Sequence, residues 1–278
     1  MSRELALCAD DYGCTPAVNR AVLQLAGCAR LSEVSCLVNG PAWAAGAAEL
    51  AALQRQRGAA LGVGLHLNLS EGVPLSAELA ALWPRLPALP RLIALAHLRL
   101  LPLAALRAEI QAQLAAFEHS TGQLPSHLDG HQHVHHLPGV RQLVLEALAT
   151  RAGVKVRDTG CVRGTGHAWK RHLIEATGGR ASSRDLQARG LQANTQLLGV
   201  HGFSGSGYRQ RMQRWLAVLP ARGGLVFCHP GLAPSAQEAA HDPIAQARAD
   251  EWSYLGSPAF ADDLCQAGVW LRGSPGPV

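Results

Sequence analysis

The chain has 278 residues, 48% of them apolar and 16% charged, enough for one large buried core of the size α/β barrels reach as a single unit. Its net charge is +5, but the arginines are scattered and no basic run interleaves with aromatics, which excludes a dedicated nucleic-acid surface. Seven dispersed cysteines without a CxxC pair exclude a disulfide framework and read as reduced thiols of a cytoplasmic protein.

The N-terminus lacks the charged-then-apolar pattern of a signal peptide and runs directly into an apolar strand at residues 5–9. Thr15 then offers an N-cap and Pro16 a first helical position, with Val18, Ala21, Val22 and Leu25 on one helical face. A strand at 34–38, a helix at 43–56 and a glycine-containing strand at 60–69 follow. Residues 74–102, rich in proline and leucine, are expected to form an irregular insertion with little regular structure. Pro87, Pro90, Arg91, His97, Arg99 and Pro102 interrupt the leucine-rich stretch 86–106, so no transmembrane segment is expected there.

Helix returns at 103–119, then strand at 126–129, helix at 139–152 and strand at 154–157. Residues 160–196 give no clear assignment. Beyond them come a strand at 197–200, a helix at 208–219 and a strand at 224–228. Asp242-Pro243 and Ser257-Pro258 read as N-cap and first-position pairs for two last helices, and 269–271 as a strand that closes the sheet. No linker divides the chain, so residues 1–278 are expected to form one domain.

Alternating strands and helices predict a parallel sheet covered by helices, either open and doubly wound or closed into a barrel. Polar groups decide between the two. Asp10-Asp11, His66, Asp129 with His131, Arg157-Asp158, His201 and His229 all fall at the C-terminal ends of predicted strands. A barrel gathers such groups into a ring on one face. The expected fold is therefore α/β, a TIM-like (β/α) barrel that is incomplete or distorted.

Two adjacent carboxylates ending an apolar strand are costly to bury unless a cation or donor meets them. Side chains alternate along an extended chain, so Asp10 and Asp11 would divide labour, one binding metal and the other accepting a proton. The plainer reading is that Asp11 opens a turn at Asp11-Tyr12-Gly13. His66, alone on its strand, reads more readily as a hydrogen-bonded core residue. Residues 126–136 change this balance, because they carry five histidines around Asp129, which could orient a ligating ring. Two histidines and a carboxylate from three strands would hold a metal with open positions, as catalytic sites do. The spacing leaves open which histidine takes part, and whether the run merely binds metals loosely. His229, before a proline-forced turn, suits a general acid; His201 competes for that role.

At these residues the chain resembles the YdjC family of carbohydrate deacetylases, which includes chitooligosaccharide deacetylases and a hopanoid-biosynthesis-associated branch. The likeness rests on Ala9 to Gly13, Val38-Asn39-Gly40, Gly64-Leu65-His66, His127 to His135, Cys228 to Gly231, and Asp242 onward through Arg248, Glu251 and Leu255. It implies Asp11, His66 and His131 as ligands of one divalent metal, with Asp10 as general base and His229 as general acid. It also implies a barrel of TIM type, a homodimer, and an N-acetylated sugar as substrate. Ligand softness favours Zn, Co or Ni, whereas the family is associated with Mg. Gly130, where many relatives carry serine, is expected to loosen the loop before His131. The rival readings are another amidohydrolase or a phosphoesterase on the same barrel, and a non-enzymatic histidine-rich metal-binding protein.

Overall fold

Every strand pairing is parallel in the structure, a computed structural model that describes residues 3–203, 207–233 and 242–274. The strands are β1 (Arg3–Tyr12), β2 (Glu33–Cys36), β3 (Gly62–Leu67), β4 (His127–Gly130), β5 (Lys155–Val156), β6 (Leu197–Leu198), β7 (Gly224–Cys228) and β8 (Val269–Leu271). They lie in the order β5-β4-β3-β2-β1-β7-β6. Among the described residues β5 and β6 form no ladder with each other; isolated bridges join Val156 of β5 to Ala193 and Leu197 of β6 to Val162. The sheet thus curls into the distorted barrel expected, with one poorly laddered seam. β8 corrects one expectation: it does not close that seam but pairs with residues 3–5 of β1. This part of β1 precedes Cys8, where pairing with β2 begins, and so has a free side.

Side chains along β1 alternate as the two-residue period of a strand requires. Leu5, Leu7 and Ala9 join the large core under the helices, while Ala6 and Cys8 join Leu197, Leu225 and Phe227 in a smaller inner cluster. The outer layer contains α1 (Pro16–Gly27) and α2 (Trp43–Arg57). Thr15 Oγ1 accepts the Val18 N–H at 3.2 Å and Pro16 occupies the first turn, as anticipated for α1.

The segment 74–102 is not irregular. It forms α3 (Ala77–Leu82) and α4 (Leu89–His97), with Leu79, Leu92 and Ala96 buried. Pro90 stands in the first turn of α4, where a missing N–H costs nothing, so there it starts a helix and does not break one. Then come α5 (Leu103–Thr121) and α6 (Val140–Leu148). Residues 160–196 resolve into α7 (Ala168–Ile174), a π-helical turn (Glu175–Gly179) and α8 (Arg180–Ala188). Gly178, a breaker in sequence terms, sits inside this run because the His136 carbonyl packs where a Cβ would be. α9 (Tyr208–Ala217) and the helices Ala245–Leu255 and Pro258–Gln266 complete the layer. Asp242 does not cap the first of these. Its Oδ1 accepts the Ile244 N–H at 3.0 Å and its Oδ2 the Arg248 Nε–H at 2.7 Å, and the helix starts after Ile244. Among the described residues no helix is long and apolar enough to cross a membrane.

Candidate active site

Where β1 reaches the rim of the barrel its register slips. Ala9 faces Val34 and Tyr12 faces Cys36, so three steps on β1 oppose two on β2. This is a β-bulge, and Asp11 within it has φ of 70°. Simple alternation therefore fails here: Asp10 and Asp11 both line the same cavity. A left-handed conformation costs a non-glycine residue roughly 1–2 kcal/mol, which the surroundings must offset. Cys14 N–H bonds the Asp11 carbonyl at 2.9 Å, and Gly13 N–H bonds Asn19 Oδ1 at 2.7 Å. Gly13 has φ of 99°, and a Cβ there would run into the Leu37 carbonyl. Asp11 thus opens a turn and faces the cavity as well.

Asp11 Oδ1 lies 3.0 Å from His131 Nδ1 and 3.4 Å from His66 Nε2. Each of the three residues offers a donor atom within 4.8 Å of the others. A cation held at about 2.1 Å needs donors roughly 3–4 Å apart, so the trio fits a divalent ion. The far nitrogen of His66, Nδ1, donates to Asp129 Oδ1 at 2.7 Å, which directs Nε2 toward Asp11. The Ser35 hydroxyl bonds the same Asp129 oxygen. Burial pulls both imidazolium groups down, but carboxylates outweigh it. Asp129, Asp10 and Asp11 raise His66 to about 10, and Asp11 with Glu71 raises His131 to about 9. The pocket thus demands positive charge, from protons or from a metal. Asp11 Oδ2 accepts from Arg248 Nη2 at 2.7 Å. Burial raises the Asp11 carboxyl, yet Arg248 and His131 hold it well below its usual range.

Asp10 is gripped by Arg157, the residue that follows β5. Arg157 Nη1 and Nη2 donate to Asp10 Oδ2 and Oδ1 at 2.7 and 2.6 Å, and Nη2 also lies 2.5 Å from Asp129 Oδ2. The guanidinium sits 5.5 Å from the centre of the Phe227 ring. One buried cation thereby joins the carboxylate beside the trio to the carboxylate that orients His66.

The structure sorts the histidine run. His127 points into the barrel below the site, 3.0 Å from Ser126 Oγ and 3.8 Å from Cys8 Sγ. It fits because Gly64 has no Cβ, which would stand 2.5 Å from the imidazole. His135 Nε2 donates to the Arg157 carbonyl at 3.0 Å, and burial pushes that ring down to about 4. His136 is bracketed by the hydroxyls of Thr159 and Thr177. His133 packs edge-on against Phe227. Of the five, His131 is the one that meets Asp11. Gly130 does not loosen this loop; its backbone is extended, and a Cβ would press on His135 at 2.8 Å. Two further donor groups share Cys8, with Glu33 and His127 or with Asp10 and Asp129. Burial raises the Cys8 thiol well above its usual value, which disfavours the thiolate a metal needs.

Glu251, fully buried, separates the two candidate acids. Its Oε1 accepts from His201 Nε2 at 2.9 Å and its Oε2 from the His229 backbone N–H at 2.6 Å. His201 Nδ1 accepts the Phe203 N–H at 3.2 Å, so both nitrogens of that ring are engaged. Among the described residues His229 Nδ1 has no hydrogen-bond partner, and the side chain lines the cavity. The cavity measures about 830 Å³, and Trp169, Leu173 and Phe203 form part of its wall. Sequence reasoning missed the roles of Ser35, Glu71 and Trp169, which lie on a strand, a loop and a helix with no motif of their own.

A family model described as YdjC-like protein matches residues 4–266. The chain is 32% identical to a mouse (Mus musculus) carbohydrate deacetylase over 293 residues, covering 96% of this chain and 92% of that one. It is 34% identical to the chitooligosaccharide deacetylase of Serratia marcescens over 167 residues, 56% of this chain and 60% of the relative. Among solved structures, an Enterococcus faecalis protein described in terms of cellobiose-phosphate cleavage superposes with a TM-score of 0.71 at 18% identity. That match covers 98% of this chain and 97% of the other and shows a shared fold.

Proposed function

The chain belongs to the YdjC-like protein family, and we propose that it is a metal-dependent hydrolase that removes the acetyl group from an N-acetylated sugar. The observation that carries this reading is the seating of Asp11 Oδ1 between His66 Nε2 and His131 Nδ1, with Asp10 beside them on the same cavity. Asp11, His66 and His131 would hold one divalent ion, Mg or Zn. Such an ion supplies Lewis-acid polarisation of the amide carbonyl and of water.

The chain's own residues supply the rest. Asp10 takes the proton of the attacking water, and the two-pronged grip of Arg157 fixes where its oxygens point. His229, with its backbone N–H held by Glu251 and its Nδ1 without a hydrogen bond among the described residues, delivers a proton to the departing amine. Acetate and a free amino sugar result. Trp169 and Phe203 offer flat apolar faces to a sugar ring or to the lipid part of a glycolipid. A two-metal phosphoesterase would need bridging carboxylates, but Asp10 and Asp129 are both held by Arg157. The storage reading is disfavoured by the scattering of four of the five histidines into separate hydrogen-bonded or packed positions.

Acetate release across a panel of N-acetylated sugars tests the reading, with Asp10→Asn as control. The variant is expected to keep its metal and lose turnover, since a general base contributes roughly 10²- to 10⁴-fold. Loss of metal in Asp10→Asn would show that the two aspartates have exchanged roles.

A further inference from the structure

His66 and His131 each turn one ring nitrogen toward Asp11, and the other nitrogen of His66 is fixed by buried Asp129. The other nitrogen of His131, Nε2, is buried and makes no hydrogen bond, yet Glu71 Oε1 stands 3.4 Å away. We propose that Glu71 is a positioning residue for the metal ligand His131, accepting its Nε2–H and so presenting Nδ1 to the cation. Glu71 would do for His131 what Asp129 does for His66. The inference rests on the reading that Asp11, His66 and His131 hold the ion.

The loop that carries Glu71 is built to a fixed shape. Asn68 Oδ1 accepts the N–H groups of Ser70 and Glu71, both at 3.1 Å, and its Nδ2 donates to the Glu71 carbonyl at 2.9 Å. Gln113 on α5 bonds the Asn68 N–H and carbonyl at 3.0 and 2.7 Å. One turn earlier on α5, fully buried Glu109 accepts the N–H groups of Leu75 and Ser76. Two side chains of one helix thus clamp both ends of the loop. The carboxylate itself is steadied by Gln132 Nε2 at 2.9 Å. A surface glutamate with no task needs none of this. Glu71 is also 59% exposed at its side chain, so its removal leaves the core untouched. A metal-ligating imidazole whose outer nitrogen loses its partner typically binds the ion roughly 10- to 100-fold more weakly.

The test is calorimetric titration of Zn²⁺ into the metal-stripped full chain, comparing the unaltered protein with Glu71→Ala, Glu71→Gln and Glu78→Ala. Glu78 is a nearby exposed carboxylate on α3 and controls for loss of charge alone. Glu71→Ala is expected to weaken binding about 10- to 100-fold, with Glu71→Gln intermediate, because its amide oxygen still accepts. Glu78→Ala should stay within about twofold. Equal affinity in Glu71→Ala and the unaltered chain overturns the positioning role while leaving the metal site standing. Equal losses in Glu71→Ala and Glu78→Ala overturn it too. If the unaltered chain takes up no ion that Asp11→Ala abolishes, the proposed metal site falls and the inference with it.

Discussion

Replacing Arg157 by methionine should damage the protein before it damages catalysis. The guanidinium bonds both oxygens of Asp10 and makes an ion pair with Asp129, and all three side chains are nearly or fully buried. Removing one partner of a buried ion pair typically costs about 3–5 kcal/mol, because the remaining charge has neither water nor a partner. Arg157 serves two carboxylates, so the upper end, about 5 kcal/mol, is expected, against a total domain stability of about 5–15 kcal/mol. The pH dependence has a defined sign. Burial raises the Asp129 carboxyl, and Arg157 and His66 together hold it well below its usual range. A depressed carboxylate stabilises the fold above its unfolded value, and that contribution is lost as pH falls through the folded value. The penalty of Arg157→Met should therefore be largest near pH 7 and shrink on acidification. Arg157→Lys keeps a charge but not the fork, and should lose roughly half as much. Urea unfolding followed by tryptophan fluorescence at several pH values measures all three proteins. A penalty below about 1 kcal/mol, or one that does not change with pH, would refute the account of Arg157 as the shared counter-charge.

Gly64→Ala would push a methyl against the His127 ring and carbonyl, and should destabilise by about 1–3 kcal/mol in urea unfolding. A neutral result would mean that His127 can leave the barrel interior. His229→Gln should lower kcat by roughly 10²- to 10⁴-fold with bound metal unchanged. His201→Gln should lower the melting temperature and slow turnover less, since both nitrogens of the His201 ring are already engaged, by Glu251 and by the Phe203 N–H. A reversed order in steady-state rates would assign the acid to His201. Bonds from Arg209, Gln213 and Tyr254 bring the Asp263 carboxyl down to about 2 despite burial. Its contribution is present above about pH 4 and lost as pH falls toward 2. Asp263→Asn should then lower the melting temperature at pH 7 and converge on the parent near pH 2.

The order of strands and helices was legible because each element carries its own short-range period: apolar runs for 5–9 and 224–228, a capped amphipathic face for 16–27. The phase of polar residues against strand ends also placed Asp10, Asp11, His66, Asp129, His131, Arg157, Asp158, His201 and His229 on one rim. Six of these nine line one cavity, Asp129 and Arg157 sit behind Asp10 and His66 as partners, and Asp158 instead bonds Gly160 N–H and Ser183 Oγ. Residues 74–102 and 160–196 were misread or left unread for one reason. Proline and glycine mark breaks locally, yet here Pro90 begins a helix and Gly178 admits a neighbouring carbonyl.

What only the tertiary structure decided is how the groups pair. Arg157 and Asp10 are 147 residues apart, and Arg248 and Asp11 are 237 apart. The bulge that turns Asp11 toward Asp10 exists only in register with β2. Which histidine of five meets Asp11 depends on a loop with Gln132 and His133 both at positive φ. Residue type and strand phase set which chemistry can gather at one end of the barrel. Ring orientation, burial and counter-charge decide which atoms face one another, and those are properties of the packed chain, not of any stretch of it.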